Sequence, residues 1–120
     1  MADLPERDLA LLLDMLLAAR DSQEFISGLS QEQFLQSKLH QNAAIRSLEI
    51  IGEAAGQISR DSTDALPAIP WKKVTGMRHR LIHDYFEVDL ELVWKVVQVE
   101  IPSLIETLEA LVPPDDGGGQ

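Results

Sequence analysis

The hydrophobic residues at the start of the chain recur at 3- and 4-residue steps, which is the spacing of one face of an α-helix. They predict a helix from about Pro5 to Ser27, because Pro5 suits a first helical turn and Gly28 suits a helix end. The face expected to meet the core consists of Leu9, Leu12, Leu16, Ala19 and Ile26, widened by Leu13 and Leu17.

A second hydrophobic stripe covers the middle of the chain. Ser30 and Gln33 form a capping-box pattern, so a new helix should begin at Gln31. We expect it to break near residues 36–37, before a long helix that runs to about Ser59. The core stripe of the long helix contains Ile45, Leu48, Ile51, Ala55 and Ile58, and Gly52 and Gly56 thin one of its faces, either for close packing or for contact with a second copy of the chain.

The last third of the chain has two further helical patterns separated by polar residues and prolines. Residues 60–70 are predicted to form a loop, and residues 71–83 a short helix. A final helix should run from an Asp89 cap to about Val112, with Pro102 kinking it or ending its first half. The sequence thus predicts one all-α domain over residues 1–112, an up-and-down bundle of four main helices plus a short extra helical turn. Residues 113–120 should form a flexible tail.

The composition agrees with a helical bundle and excludes several classes of site. Of the 120 residues, 45% are hydrophobic and only 5% are aromatic, which favours packed helices over a sandwich or barrel. Because the chain has no cysteine, disulfide scaffolds, thiolate zinc sites and cysteine nucleophiles are excluded. The hydrophobic runs are too short to span a bilayer, and the N-terminus lacks the basic region of a signal peptide. We therefore expect a soluble, cytoplasmic protein.

The charge is unevenly distributed. The formal net charge is -10, yet residues 65–83 contain four basic residues and no acidic one, which leaves 6 Lys and Arg against 20 Asp and Glu elsewhere. Such a segment could follow an RNA backbone although the whole protein is acidic. Lys72, Lys73 and Arg80 are the candidate RNA-backbone contacts, and the alternative is that they are ordinary solvated charges.

Two of the three histidines and the only tyrosine lie at the end of this basic segment. Arg78, His83 and Tyr85 combine a guanidinium that can hold a phosphate, an imidazole that can transfer a proton and a phenol that can orient a nucleophile. In a continuous helix, Arg78 and His83 would point about 140° apart. They can converge only if the helix ends near Ile82, or if two copies of the chain form the site together.

The spacing Arg78-x-x-x-x-His83-x-Tyr85 resembles the RxxxxHxY signature of the HEPN superfamily. The flanking segments, Arg46 to Ala55, Pro70-Trp71 and Gly76-Met77-Arg78, resemble its HepT-like branch, and the similarity spans roughly residues 8–111. The resemblance implies a helical homodimer that cleaves RNA without metal or cofactor, with Arg78, His83 and Tyr85 as its catalytic residues.

The resemblance further implies that the protein is the toxin of a toxin–antitoxin pair. The implied partner is an MntA-like minimal nucleotidyltransferase, which would add AMP to Tyr85. The position after the motif arginine, commonly Asn in the family, is His79 here. His79 is therefore either a supporting phosphate contact or a residue that changes rate and specificity.

Other interpretations of the same residues stay open. His79 and His83 have the i, i+4 spacing of a helical zinc site, with Asp84 adjacent. Glu53 shares a helix face with Arg46 and Glu49, and it either completes an ion-pair ladder or orients Arg78. The alternative functions are a non-catalytic helical module that binds a nucleotide or a nucleotidyltransferase, and a plain helical scaffold.

Overall fold

The computed structural model describes residues 4–82 and 87–112, and these residues form an all-α bundle, as predicted. Two long helices and one interrupted C-terminal helix build it: α1 (Glu6–Phe25), α3 (Lys38–Gln57), and α7 (Leu90–Lys95) continued by a π-helical turn (Val96–Glu100) and α8 (Ile101–Leu111). Four short helices connect them: α2 (Gln31–Leu35), α4 (Arg60–Ala65), α5 (Trp71–Thr75) and α6 (Met77–Leu81). None of the described helices is both long enough and apolar enough to cross a membrane.

The core lies where α1 packs along α3 and against α8. The predicted stripes supply it, since Leu12, Leu48, Ile51 and Leu108 are fully buried. The predicted widening of the first stripe is wrong: Leu13 and Leu17 are 38% and 47% exposed. The packed face of α1 is therefore narrower than its hydrophobic face.

Serine side chains begin the helices in the middle of the chain. Ser30 accepts a hydrogen bond from the backbone N–H of Gln33, and the Gln33 side chain accepts one from the Ser30 N–H, which confirms the predicted capping box. Ser37 in turn caps α3, which begins at Lys38. The predicted break at residues 36–37 is therefore confirmed.

The prediction of a loop over residues 60–70 is wrong for its first half. Ser59 caps a new helix, α4, by accepting a hydrogen bond from the backbone N–H of Ser62. Asp8 of α1 is buried beneath this turn and accepts hydrogen bonds from the Ser59 N–H, the Ser59 hydroxyl and the Ser62 hydroxyl. The polar residues that suggested a loop thus form a helix cap. The cap is held by hydrogen bonds to the carboxylate of Asp8, which is 51 residues from Ser59 in the sequence.

The predicted helix over residues 71–83 is divided in two at Gly76. A Cβ at this position would lie 2.9 Å from the Lys72 carbonyl oxygen, so any larger residue would force the backbone to shift at this turn. Gly52 of α3 faces the same region, because a Cβ there would lie 3.1 Å from the carbonyl oxygen of Val74. Of the two uses considered for the thin face, Gly52 serves close packing within the chain.

The C-terminal helix departs from α-helical geometry just before Pro102, where a disturbance was predicted. The N–H of Ile101 donates to the carbonyl oxygen of Val96, five residues earlier, which is a π-helical bond. Pro102 has no N–H and its ring would crowd the carbonyl of Gln98, so the wider turn accommodates the proline without ending the helix. The predicted tail, residues 113–120, lies outside the described residues.

Candidate functional site

Helix α6 carries the basic end of the predicted site. Its first and last residues, Met77 and Leu81, are four positions apart and both 2% exposed, so one face of the helix is buried in the core. Arg78 and His79 project from the opposite side and are exposed. Residues 4–82 and 87–112 place no carboxylate within ion-pair distance of Arg78. The motif arginine thus presents its guanidinium to solvent.

The helix ends before the position of the motif histidine. Ile82 has extended backbone angles, φ −94° and ψ 116°, and forms an antiparallel bridge with Val88. The backbone N–H of Asp89 donates to the Leu81 carbonyl oxygen at 2.7 Å. The described residues on either side of 83–86 therefore meet at the end of α6, where Asp89 caps α7.

His83, Asp84 and Tyr85 lie outside the described residues, so their predicted roles stay predictions. The end of α6 nevertheless bears on the geometry expected from the sequence. Since helical rotation stops at Leu81, the divergence of about 140° calculated for a continuous helix does not apply. The condition for Arg78 and the following segment to share one site within a single chain is met. The zinc alternative loses the helical i, i+4 spacing on which it rested, because α6 ends at Leu81, before His83.

Arg80, a predicted contact with an RNA backbone, binds a carboxylate within the chain. Its Nη1 and Nη2 donate to the two carboxylate oxygens of Glu100 at 3.0 and 2.7 Å. These hydrogen bonds lower the pKa of Glu100 below its ordinary value and raise the pKa of Arg80, against the opposing effect of partial burial. The guanidinium fork is occupied within the chain, so this ion pair competes with the predicted contact of Arg80 with an RNA backbone, which stays a prediction.

Lys72 and Lys73 are exposed in the last turn of α5, as an RNA contact would require. Lys73 and Lys95 also help to lower the pKa of Glu100, after the larger effect of Arg80, so basic residues on three helices act on one carboxylate. Lys95 belongs to α7 and was missed in the sequence, because it is isolated there from other basic residues. The basic surface is therefore broader than the segment that predicted it.

Glu53 pairs with Arg46 on its own helix. Arg46 lies 3.6 Å from Glu53 and 3.9 Å from Glu49, which is the ladder along α3 that the spacing allowed. Arg46 and Glu53 are 62% and 58% exposed, so the ladder is a surface feature. We leave Glu53 out of the site.

The described part of the site can hold an anion. It offers an exposed arginine at the end of a short helix, a neighbouring histidine and two exposed lysines one helix earlier. A guanidinium can donate two parallel hydrogen bonds to a phosphate, and the imidazole can add a further donor.

Comparisons with known proteins agree with this description. The family model described as ribonuclease HepT-like matches residues 15–111. A candidate RNase of Methanocaldococcus jannaschii is 40% identical over 100 residues, which cover 83% of this chain and 92% of that protein. Another candidate RNase of the same organism is 35% identical over 115 residues, or 95% of each chain.

A candidate ribonuclease HepT of Thermococcus cleftensis is 46% identical over 89 residues, which cover 74% of this chain and 81% of that protein. No solved structure matches the chain at a significant level. The family match spans the long helices and both sides of the predicted site, from within α1 to the end of α8. The chain belongs to the HepT-like ribonuclease family.

Proposed function

We propose that this protein is a metal-independent endoribonuclease whose catalytic residues are Arg78, His83 and Tyr85. The observation that carries the proposal is the exposed guanidinium of Arg78 on a short helix that ends before His83, in a chain of the HepT-like ribonuclease family. Lys72 and Lys73, exposed on the preceding helix, would guide the RNA backbone toward it.

RNA supplies the nucleophile of the proposed reaction. The ribose 2′-oxygen attacks the adjacent phosphorus, the bond from phosphorus to the 5′-oxygen breaks, and a 2′,3′-cyclic phosphate forms. His83 transfers the proton, and Arg78 offsets the negative charge that develops on the phosphate oxygens. Tyr85 orients the reacting groups. Because an alcohol already in the substrate attacks, no metal-bound water is needed.

Cleavage of a mixed RNA pool in the presence of EDTA tests this proposal. We expect wild-type protein to cleave, and His83→Ala to be slower by about 10²–10⁴-fold, the usual contribution of an acid–base group. Arg78→Ala should lose cleavage as well. Arg46→Ala is the matched control, since it removes another exposed arginine that lies on α3. Loss of cleavage in EDTA with recovery on zinc would instead support the His79–His83 metal site.

We further propose that the enzyme is the toxin of a toxin–antitoxin pair acting in the cytoplasm. Its antitoxin would be an MntA-like minimal nucleotidyltransferase that modifies Tyr85, the only tyrosine of the chain. The phenol oxygen would attack the α-phosphorus of ATP, releasing pyrophosphate and leaving AMP on the side chain. The added phosphate would repel the RNA phosphate and occupy its place near Arg78.

Co-expression with the nucleotidyltransferase, followed by mass spectrometry, tests the modification. The expected result is one AMP per chain on Tyr85, with loss of RNA cleavage and an unchanged melting temperature. A Tyr85→Phe protein that is silenced equally well by the same partner would contradict it. If the partner binds without modifying the chain and wild-type protein never cleaves RNA, the protein is the non-catalytic binding module.

The enzyme is proposed to act as a homodimer. Leu13 and Leu17 support this, since α1 exposes both to solvent one helical turn apart. A second copy of the chain would cover them. Light scattering at tens of micromolar should give twice the chain mass of 13.3 kDa, and Leu13→Glu with Leu17→Glu should give the monomer. A monomeric wild-type protein would contradict the proposal.

A further inference from the structure

Two arginines of α6 point in opposite directions. Arg78 and Arg80 are two residues apart, which separates their side chains by about 200° around the helix. Arg78 is exposed, whereas the Arg80 side chain retains 24% of its accessible surface. One short helix therefore presents one guanidinium to solvent and directs the other into the bundle.

The inner arginine makes a contact of defined geometry. Both nitrogens at the end of the Arg80 fork bind both carboxylate oxygens of Glu100, at 3.0 and 2.7 Å. Two parallel hydrogen bonds fix the orientation of the planar groups as well as their distance. At 24% and 30% side-chain exposure the pair is screened less by solvent than a fully exposed pair would be.

Buried neighbours fix the backbone position of Glu100. It is the last residue of the π-helical turn, and the turn is anchored by three residues that are at most 2% exposed, namely Val96, Val97 and Ile101. The wider turn changes the angular phase of the helix at this point, because Ile101 bonds to Val96 instead of the residue four positions back. The irregularity before Pro102 thus determines where the Glu100 carboxylate lies.

Helix α6 needs such an external contact. Five residues make little more than one helical turn, and isolated helices of that length are unstable in water. Met77 and Leu81 anchor one face through hydrophobic packing, which is not directional. The contact with Glu100 adds a directional restraint. The same helix leads directly into the Ile82–Val88 bridge and the segment between them.

We propose that Arg80 and Glu100 are positioning residues of the proposed nuclease. Their ion pair sets the rotation of α6 against the π-helical turn, and so directs Arg78 toward the RNA phosphate that it is proposed to hold. This inference rests on the proposed function, and it assigns a role in that function to the C-terminal helix. A displacement near 1 Å at a reacting group can slow a reaction by about 10²-fold, so a small rotation of α6 would matter.

Amide hydrogen exchange on the full chain tests the positioning without depending on activity. In Glu100→Gln, the amides of Ile82 and Asp89 should exchange about two- to fivefold faster, because both bond to carbonyl oxygens of α6. Glu109→Gln is the matched control, because it removes an ion pair with Arg20 at 2.8 Å that joins α1 to α8. That variant should leave both amides unchanged.

RNA cleavage gives the second readout. Glu100→Gln should lower kcat about 10- to 100-fold with KM within about twofold, whereas Glu109→Gln should change neither constant. Arg80→Lys keeps the charge but loses the fork, and should lower kcat to a similar degree. Exchanging the two residues, Arg80→Glu with Glu100→Arg, should recover part of kcat, which a general loss of stability would not explain.

The results separate failure of this inference from failure of the proposed function. Unchanged exchange at Ile82 and Asp89 in both Glu100→Gln and Arg80→Lys would overturn the positioning role. Equal losses of kcat in Glu100→Gln and Glu109→Gln would also overturn it. If wild-type protein cleaves no RNA, the proposed function fails, while the exchange experiment still decides whether the pair holds α6.

Discussion

Two carboxylates join parts of the chain that are distant in sequence, in contrasting surroundings. Asp8 is 1% exposed and accepts three hydrogen bonds from uncharged donors on Ser59 and Ser62. The Glu100 side chain is 30% exposed and binds one charged partner, Arg80. The first joins α1 to the start of α4, and the second joins the C-terminal helix to the helix of the candidate site.

The contrast separates stabilisation from positioning. A buried carboxylate must keep its hydrogen bonds, because water cannot replace them, so the Asp8 cluster should contribute much to the free energy of unfolding. Ion pairs near the surface contribute less, since water hydrates both charges in the unfolded chain. We therefore expect the Glu100 pair to influence activity more than stability.

Removal of the buried carboxylate should have the largest effect on stability. Asp8→Ala leaves the hydroxyls of Ser59 and Ser62 without their acceptor, and hydrogen bonds to charged groups contribute about 1.5–3 kcal/mol each. We expect the free energy of unfolding to fall by about 3 kcal/mol in urea denaturation. A decrease below about 1 kcal/mol would show that the cluster is not structural.

Removal of a single donor should have a smaller effect. Ser62→Ala deletes one hydroxyl and leaves the two hydrogen bonds from Ser59 to Asp8 in place. The expected decrease is about 1.5 kcal/mol. Thr63→Ala in the same helix is the control, because its exposed hydroxyl bonds only the Arg60 carbonyl within α4. Similar decreases for the two variants would contradict a special role for the Asp8 contact.

The pH dependence of the melting temperature should also depend on the cluster of Asp8, Ser59 and Ser62. Hydrogen bonds from Ser59 and then Ser62 lower the pKa of Asp8 in the folded chain, against the effect of burial. The contribution of Asp8 is therefore complete above its unfolded pKa of about 3.9 and is lost as pH falls through the lower folded value. Asp8→Asn should flatten the fall in melting temperature below about pH 4. A parallel fall in both proteins would contradict this.

The ion pair at the site should affect stability least. Glu100→Gln is expected to lower the free energy of unfolding by less than about 1 kcal/mol. The melting temperature should therefore stay within a few degrees of wild type. A decrease in the free energy of unfolding as large as that of Asp8→Ala would show that both carboxylates mainly stabilise the fold. The contrast between them would then fail.

The sequence predicts the long helices well because each repeats one pattern many times. The core stripe of α3 and the serine caps of α2 and α3 are local signals, and the structure follows them. The family signature around Arg78 is also local, since it lies within one short segment of the chain.

The errors and the unpredicted contact of Arg80 have a common physical cause, since each depends on a partner far away in sequence. Ser59 and Ser62 form a helix cap instead of a loop because Asp8 lies beneath them. Arg80 faces the bundle because Glu100 meets it there. Leu13 follows the hydrophobic spacing of α1, but no helix in the described part of the chain covers it. A pattern along one helix does not identify such partners.

The Ile82–Val88 bridge has a consequence for the conformational entropy of the site. Bringing together two separated points of a chain removes chain entropy, and the bridge, with the bond from Asp89 to Leu81, has already brought these backbone positions together on folding. Substrate binding beside the bridge therefore does not have to bring these two backbone positions together.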